Sequence, residues 1–150
     1  MSIRRNRKSS LRRRVAAIAT AGALATTGGL MAASPASAAT VSDRTIANAA
    51  KNAGLSGCRG VSTATWVAIA LAESNGNTHA RATGIEDSRG LWQVNLWAHG
   101  DWVGKRNLYD ISTNAWAAKK VCQMQGPKAW STYTNGAYKK FLSRGHAVGG

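Results

Sequence analysis

Glu73 closes an apolar helical run that opens near Ser62, and Gly90-Leu91-Trp92-Gln93-Val94-Asn95 follows about twenty residues later. A carboxyl group beside a polar, aromatic segment is equipped to hold a sugar and to deliver a proton to the oxygen of a glycosidic bond. To carry that proton near neutral pH, it must hold it more tightly than a solvated glutamate does. Burial against apolar groups has this effect because it disfavours the anion. Glu73 has that setting, since it continues the helical stripe of Trp66, Ile69 and Ala70. No other acid between Ala39 and Gly150 continues an apolar stripe in this way. The plainer alternative is a solvated carboxylate at a helix end, where the helix dipole opposes a negative charge.

Cleavage by water asks for a second carboxylate several ångströms from the acid, as base or nucleophile. Glu86 and Asp87 are the candidates, with Asp101 behind them, and an ordinary solvated loop is the competing reading. Tryptophan suits both a core and the face of a sugar ring. Trp92 and Trp97 flank the Gln93 segment and are expected in a groove, whereas Trp66 and Trp116 fall inside predicted helices and are expected in the core.

Four helices are expected to position these groups. The first spans Asp43 to Ala53, with Asp43 as its cap and Gly54 as its stop. A second runs from Ser62 or Thr63 to Ala72 or Glu73 and is stopped by Asn75-Gly76-Asn77. The third spans Ser112 to Gln125, ahead of Gly126-Pro127, and places Ala115, Ala118 and Cys122 on one face. The last spans Gly136 to Arg144, with Tyr138, Phe141 and Leu142 inward and Gly145 as terminator. Segments 78–89 and 100–107 read as loops, 91–97 carries no clear period, and no strand pattern is strong. The fold class is therefore mainly α: a small helical domain with a groove.

Residues 1–38 read as a cleaved export signal rather than as fold. Arg4, Arg5, Arg7, Lys8, Arg12, Arg13 and Arg14 precede an Ala/Gly/Thr-rich run, and Ala36-Ser37-Ala38 supplies an A-x-A site before Ala39. The run is rich in small and hydroxylated residues, which argues against a stable membrane anchor. Residues 39–150 then form one domain. Seven of the 20 basic residues fall in the leader and none of the six acids does, so the net charge of +14 becomes +7 beyond it. A basic exported protein is drawn to anionic surfaces such as a cell wall. Its cations are scattered and no nucleic-acid motif is present, so no nucleic-acid partner is expected. Cys58 and Cys122, the only cysteines, read as a disulfide in an oxidising compartment, with two buried free thiols as the alternative. His79, His99 and His146 show no paired ligand spacing, so no metal and no cofactor is expected.

Ala72-Glu73-Ser74-Asn75-Gly76-Asn77, Gly90-Leu91-Trp92-Gln93 and Tyr133-Thr134-Asn135-Gly136 together resemble the E-S, G-L-x-Q and Y-x-x-G motifs of one family. This is the soluble lytic transglycosylase-like domain of the lysozyme superfamily. Goose-type lysozymes share the pattern, and resuscitation-promoting factors share its E-S-x-G-N portion. The resemblance spans roughly Ala64 to Phe141. It implies a lysozyme-like fold acting on the MurNAc–GlcNAc bond of peptidoglycan glycan strands; with the leader and the basic charge, a secreted, wall-associated monomer is expected. By the same resemblance Glu73 matches the catalytic acid, Gln93 the groove glutamine and Tyr133 the motif tyrosine, while His99 lies where goose-type lysozymes place a substrate-contacting histidine. Asn135 stands one place away from the asparagine of the usual Y-N-A-G. The implied reaction is that of a lytic transglycosylase giving 1,6-anhydro products. A hydrolytic lysozyme of the same fold, or a wall-binding module without activity, are the alternatives.

Overall fold

The computed structural model describes residues 40–149, so the leader expected at 1–38 lies outside the described residues. The chain runs through α1 (Asp43–Asn52), α2 (Thr63–Ser74), β1 (Arg81–Ala82), β2 (Ser88–Arg89), β3 (Val94–Asn95), α3 (Leu96–Val103), α4 (Ile111–Gln125), α5 (Ser131–Thr134) and α6 (Leu142–Gly149), with single 3-10 turns at Cys58–Gly60, Pro127–Ala129 and Ala137–Phe141. The fold is mainly helical, as expected.

Side-chain caps set where the helices start. Ser42, not the expected Asp43, caps α1, its Oγ accepting the Thr45 N–H at 3.2 Å. Asp43 instead sits in the first turn and pairs with Arg144 of α6 at 2.6 Å. Ser62 caps α2 in the same way, and Asp110 caps α4 by accepting the Thr113 N–H at 2.8 Å. α2 stops where expected, with Asn75 in the left-handed conformation at φ 52°.

α2 is the interior rod of the fold. Every residue from Trp66 to Leu71 is buried, so the helix is enclosed on all sides rather than along one stripe. Its N-terminal end packs against α6 at backbone distance. A Cβ on Gly145 would stand 2.1 Å from the Ala64 carbonyl oxygen, and one on Gly149 would stand 2.8 Å from the Ala64 nitrogen. Gly145 therefore does not end the last helix, as its residue type suggests. It lies within α6 because two helices touch there. The Cys58–Cys122 disulfide joins the turn after α1 to α4 across 64 positions.

Two elements depart from the sequence expectation. The segment 81–95 forms a three-stranded antiparallel sheet, order β1-β2-β3, with Ala82 opposite Ser88 and Ser88 opposite Asn95. Strands of two residues are too short to show alternation, so no pattern announces them. The expected loop at 100–107 begins inside α3. That helix is capped by Asn95, whose Oδ1 accepts the Trp97 N–H at 2.9 Å, and it turns His99 and Val103 inward at i, i+4.

Sheet and helices are bound together at Trp92. Its backbone N–H donates to Oδ1 of Asn114 on α4 at 2.9 Å, and its indole N–H donates to the Trp66 carbonyl of α2 at 3.1 Å. Its own carbonyl accepts the Trp130 indole N–H at 2.8 Å. The Asn114 amide nitrogen completes the knot by donating to the Arg89 and Leu108 carbonyls at 2.8 and 2.9 Å. Gly90 fits under this amide only because it has no side chain. Its φ is +76°, and a Cβ would stand 2.2 Å from the Leu108 oxygen and 2.3 Å from Asn114 Nδ2.

Gly90→Ala is thus expected to lower the unfolding free energy by about 3 kcal/mol or more in urea titration. Gly100→Ala, on α3 with nothing within 4 Å of the added Cβ, is expected to leave it unchanged or raise it by about 0.5–1 kcal/mol.

Candidate active site

α2, the sheet, α3 and the stretch from α4 to α5 enclose a cleft of about 440 Å³. Glu73, Glu86, Ser88, Gln93, His99 and Trp130 are among the residues that line it. Glu73 comes from the last turn of α2, seven residues beyond Trp66, and is half-buried. Its Oε1 accepts the Thr132 hydroxyl at 2.6 Å.

Four influences act on the Glu73 proton, and they do not all agree in sign. Burial, the largest, raises the pKa by disfavouring the anion; the Thr132 hydroxyl lowers it by hydrogen bonding to the carboxylate. Repulsion from the Glu86 carboxylate raises it again, and the Thr132 backbone N–H lowers it slightly. The balance lies above the ordinary glutamate value, so Glu73 holds a proton to higher pH than a solvated glutamate would.

The two candidate second carboxylates part company. Glu86 lines the cleft, and its Oε2 accepts the Ser88 hydroxyl at 2.6 Å. Asp87 is held by Arg89 Nη2 at 2.7 Å and Arg81 Nε at 2.9 Å and is not a lining residue. Hydrogen bonds from these two guanidiniums, Arg89 first, keep its carboxyl far below the usual aspartate range. Asp101 is exposed on α3 and likewise does not line the cleft. Only Glu86 shares the space of Glu73.

His99 lines the cleft from α3, 8% exposed, with its ring centroid 5.2 Å from that of Trp102. Burial lowers its pKa, leaving a neutral imidazole near neutral pH. Gln93 also lines the cleft, but its amide nitrogen is committed to the chain. It donates to the Gly90 carbonyl at 2.8 Å and to the Ala80 carbonyl at 3.0 Å, clamping the turn against the end of the preceding loop. Its φ of 45° is the left-handed conformation this turn needs. Toward the cleft, the side chain therefore has only its oxygen to offer.

Other expected groove residues lie elsewhere. Trp92 is a correction: it is fully buried in the core, where its indole N–H satisfies an α2 carbonyl. Trp97 is 65% exposed on α3, beside the lining residue Ala98 but not itself lining the cleft. Tyr133 stacks on Tyr138 with centroids 5.1 Å apart, outside the lining. Asn135 uses its Oδ1 to accept the Ala137 N–H at 2.9 Å, a turn-stabilising role. Trp66 is core as expected, while Trp116 is half-buried with the Arg106 guanidinium 4.8 Å from its ring centroid. Among the described residues no group of three or more His, Cys, Asp or Glu side chains could hold a metal ion.

Sequence reasoning missed Thr132, Ser88 and Trp130. Thr132 directly precedes Tyr133 of the third motif, and that adjacency is the one signal that could have found it. Trp130 and Ser88 are buried wall residues whose types suit a core equally well.

A family model described as a lysozyme-like domain matches residues 47–132. The chain is 33% identical over 116 residues to lysozyme C of Macaca mulatta, covering 66% of this chain and 78% of the relative. It is 34% identical over 106 residues to the tracheal isozyme of lysozyme C of Bos taurus, covering 60% and 72%. Lysozyme C of Miopithecus talapoin matches at 33% over 116 residues.

The raised Glu73 pKa carries a consequence for stability. A proton held more tightly in the folded than in the unfolded chain stabilises the fold fully below the unfolded value of 4.5, and this contribution is lost as pH rises through the higher folded value. Above that higher value the ionised side chain is a burden, which Glu73→Gln removes while keeping its shape. The variant is expected to unfold at an equal or higher Tm than the parent at pH 7, with its advantage shrinking toward pH 4. Thermal melts across this range check the sign.

Proposed function

This chain belongs to the lysozyme-like domain family, and from that premise we propose that it cleaves the MurNAc–GlcNAc bond of peptidoglycan glycan strands outside the cell. The observation that carries this reading is a half-buried Glu73, its pKa raised by burial, lining a cleft of about 440 Å³. Glu73 gives its proton to the leaving oxygen. Neutral His99 and the Gln93 oxygen offer uncharged hydrogen-bond partners to sugar hydroxyls and acetamido groups, which suits a neutral ligand. Exposed Trp97 stands beside the cleft as a surface on which a ring can stack.

The placement of Glu86 favours hydrolysis. Two carboxylates in one cleft, one desolvated and the other held as an acceptor by Ser88, is the arrangement that separates an acid from a base or nucleophile. In this reading Glu86 activates a water or stabilises the positive sugar. The 1,6-anhydro route implied by the E-S, G-L-x-Q and Y-x-x-G resemblance remains the second reading. It needs one carboxylate only, with the substrate's N-acetyl group assisting, and burial raises the pKa of Glu73 to suit that role. Export and wall association rest on the leader at 1–38, the net charge of +7 beyond it and the disulfide, a bond at home in oxidising compartments. Action as a monomer completes the reading.

Purified peptidoglycan digested with the 39–150 protein is expected to release soluble fragments with ordinary reducing ends by mass spectrometry. Fragments one water lighter would instead establish the transglycosylase. Glu73→Gln is expected to lower the rate about 10³-fold or more under either reading. Glu86→Gln is expected to lower it about 10²-fold if water is the acceptor and to spare it if the 6-hydroxyl is. No fragments from folded parent protein would leave a wall-binding module.

A further inference from the structure

We propose that Thr132 is a positioning residue for the acid, giving its hydroxyl to Oε1 of Glu73 and so leaving Oε2 as the oxygen that carries the transferable proton. This rests on the reading of Glu73 as the acid. The 2.6 Å contact joins the last turn of α2 to α5 across 59 positions of sequence. It is the one side-chain hydrogen bond that reaches Glu73 among the described residues. A hydroxyl has one proton to give, so this single side-chain contact marks Oε1 as its acceptor and distinguishes it from Oε2.

Thr132 is itself held in place. Trp130, two residues earlier, is fixed by its indole bond to the Trp92 carbonyl, and its own carbonyl accepts the Tyr133 and Thr134 N–H groups at 3.0 and 3.2 Å. Tyr133, the next residue, is stacked on Tyr138. The hydroxyl is thus carried on a segment locked from both sides, and the carboxylate it holds cannot rotate without breaking the bond.

The same bond moderates the acid. Burial and Glu86 raise the Glu73 pKa, while a donor that prefers the anion works against them. An acid that must release and then regain a proton within one turnover needs that counterweight. Glu86 and neutral His99 are the other titratable groups lining the cleft; the lining residues from α4 and the stretch through α5 are uncharged, among them Val121, Gln125, Trp130 and Ser131.

The test uses Thr132→Val, which keeps the shape and removes the hydroxyl, Thr132→Ala as a second hydroxyl-free variant, and Thr132→Ser, which restores the donor. The titration of the Glu73 carboxyl is followed by NMR in protein labelled with ¹³C at the glutamate carboxyl, alongside the pH profile of kcat/KM on peptidoglycan. Both hydroxyl-free variants are expected to titrate Glu73 at higher pH than the parent, to move the basic limb of the profile upward with it, and to lose about tenfold or more in kcat. Thr132→Ser is expected to return all three toward the parent. A Glu73 titration that stays put in folded Thr132→Val or Thr132→Ala, or a failure of Thr132→Ser to restore it, overturns the proposal. The NMR measurement needs no substrate, so absence of cleavage by the parent overturns the functional reading while the titration still decides the role of Thr132.

Discussion

Trp92 makes three hydrogen bonds in the buried interior, and the site hangs from them. Its N–H goes to Asn114, its indole N–H to Trp66 and its carbonyl to the Trp130 indole, with Trp66 and Trp92 wholly buried and Trp130 5% exposed. A buried polar group left without its partner costs about 1–3 kcal/mol, so each bond resists displacement of the element it reaches. Every main member of the site lies a short, fixed distance along the chain from one of these residues. Glu73 lies two helical turns beyond Trp66, on the same side of α2. Gln93 follows Trp92 directly, and Thr132 stands two residues after Trp130. A knot of tryptophans therefore holds the acid, the groove glutamine and the hydroxyl in register, although they come from three separate parts of the sequence.

Electrostatics then separates the acids by environment. Asp87 lies between two guanidiniums and is an anion at any ordinary pH, serving to bind the ends of β1 and β2 together through Arg81 and Arg89. Glu86, its neighbour in sequence, faces the cleft and receives a hydroxyl from Ser88. At Glu73, burial is the largest influence and raises the pKa above the ordinary glutamate value. One short stretch of loop and sheet thus supplies both a structural clip and a second carboxylate, because adjacent residues point to different surroundings.

The parts of this arrangement that depend on local chemistry were legible in the sequence. The bounds of α2 and α4 follow from caps and glycines, the cysteine pairing from count and compartment, and Glu73 from its place at the end of an apolar run. The parts that depend on contacts distant in sequence were not. Two-residue strands leave no period, and α3 is a helix of eight residues containing Gly100 and Asp101, which propensity alone would not select. Trp92 and Trp97 flank the same motif and look equivalent, yet one is the centre of the core and the other is at the surface. Gly145 has the composition of a stop and the function of a spacer, because what fixes its role is the Ala64 backbone far along the chain. Thr132 carried no signal of its own beyond adjacency to Tyr133.

The account stands most directly on where a glycan lies relative to Glu73. A crystal structure of the Glu73→Gln variant with a bound peptidoglycan fragment would show this without depending on turnover. The scissile oxygen is predicted within hydrogen-bond reach of the substituted side chain, about 3 Å, with the neighbouring ring near Gln93 and His99. A fragment bound with no glycosidic oxygen near that side chain, or bound outside the cleft altogether, would contradict it.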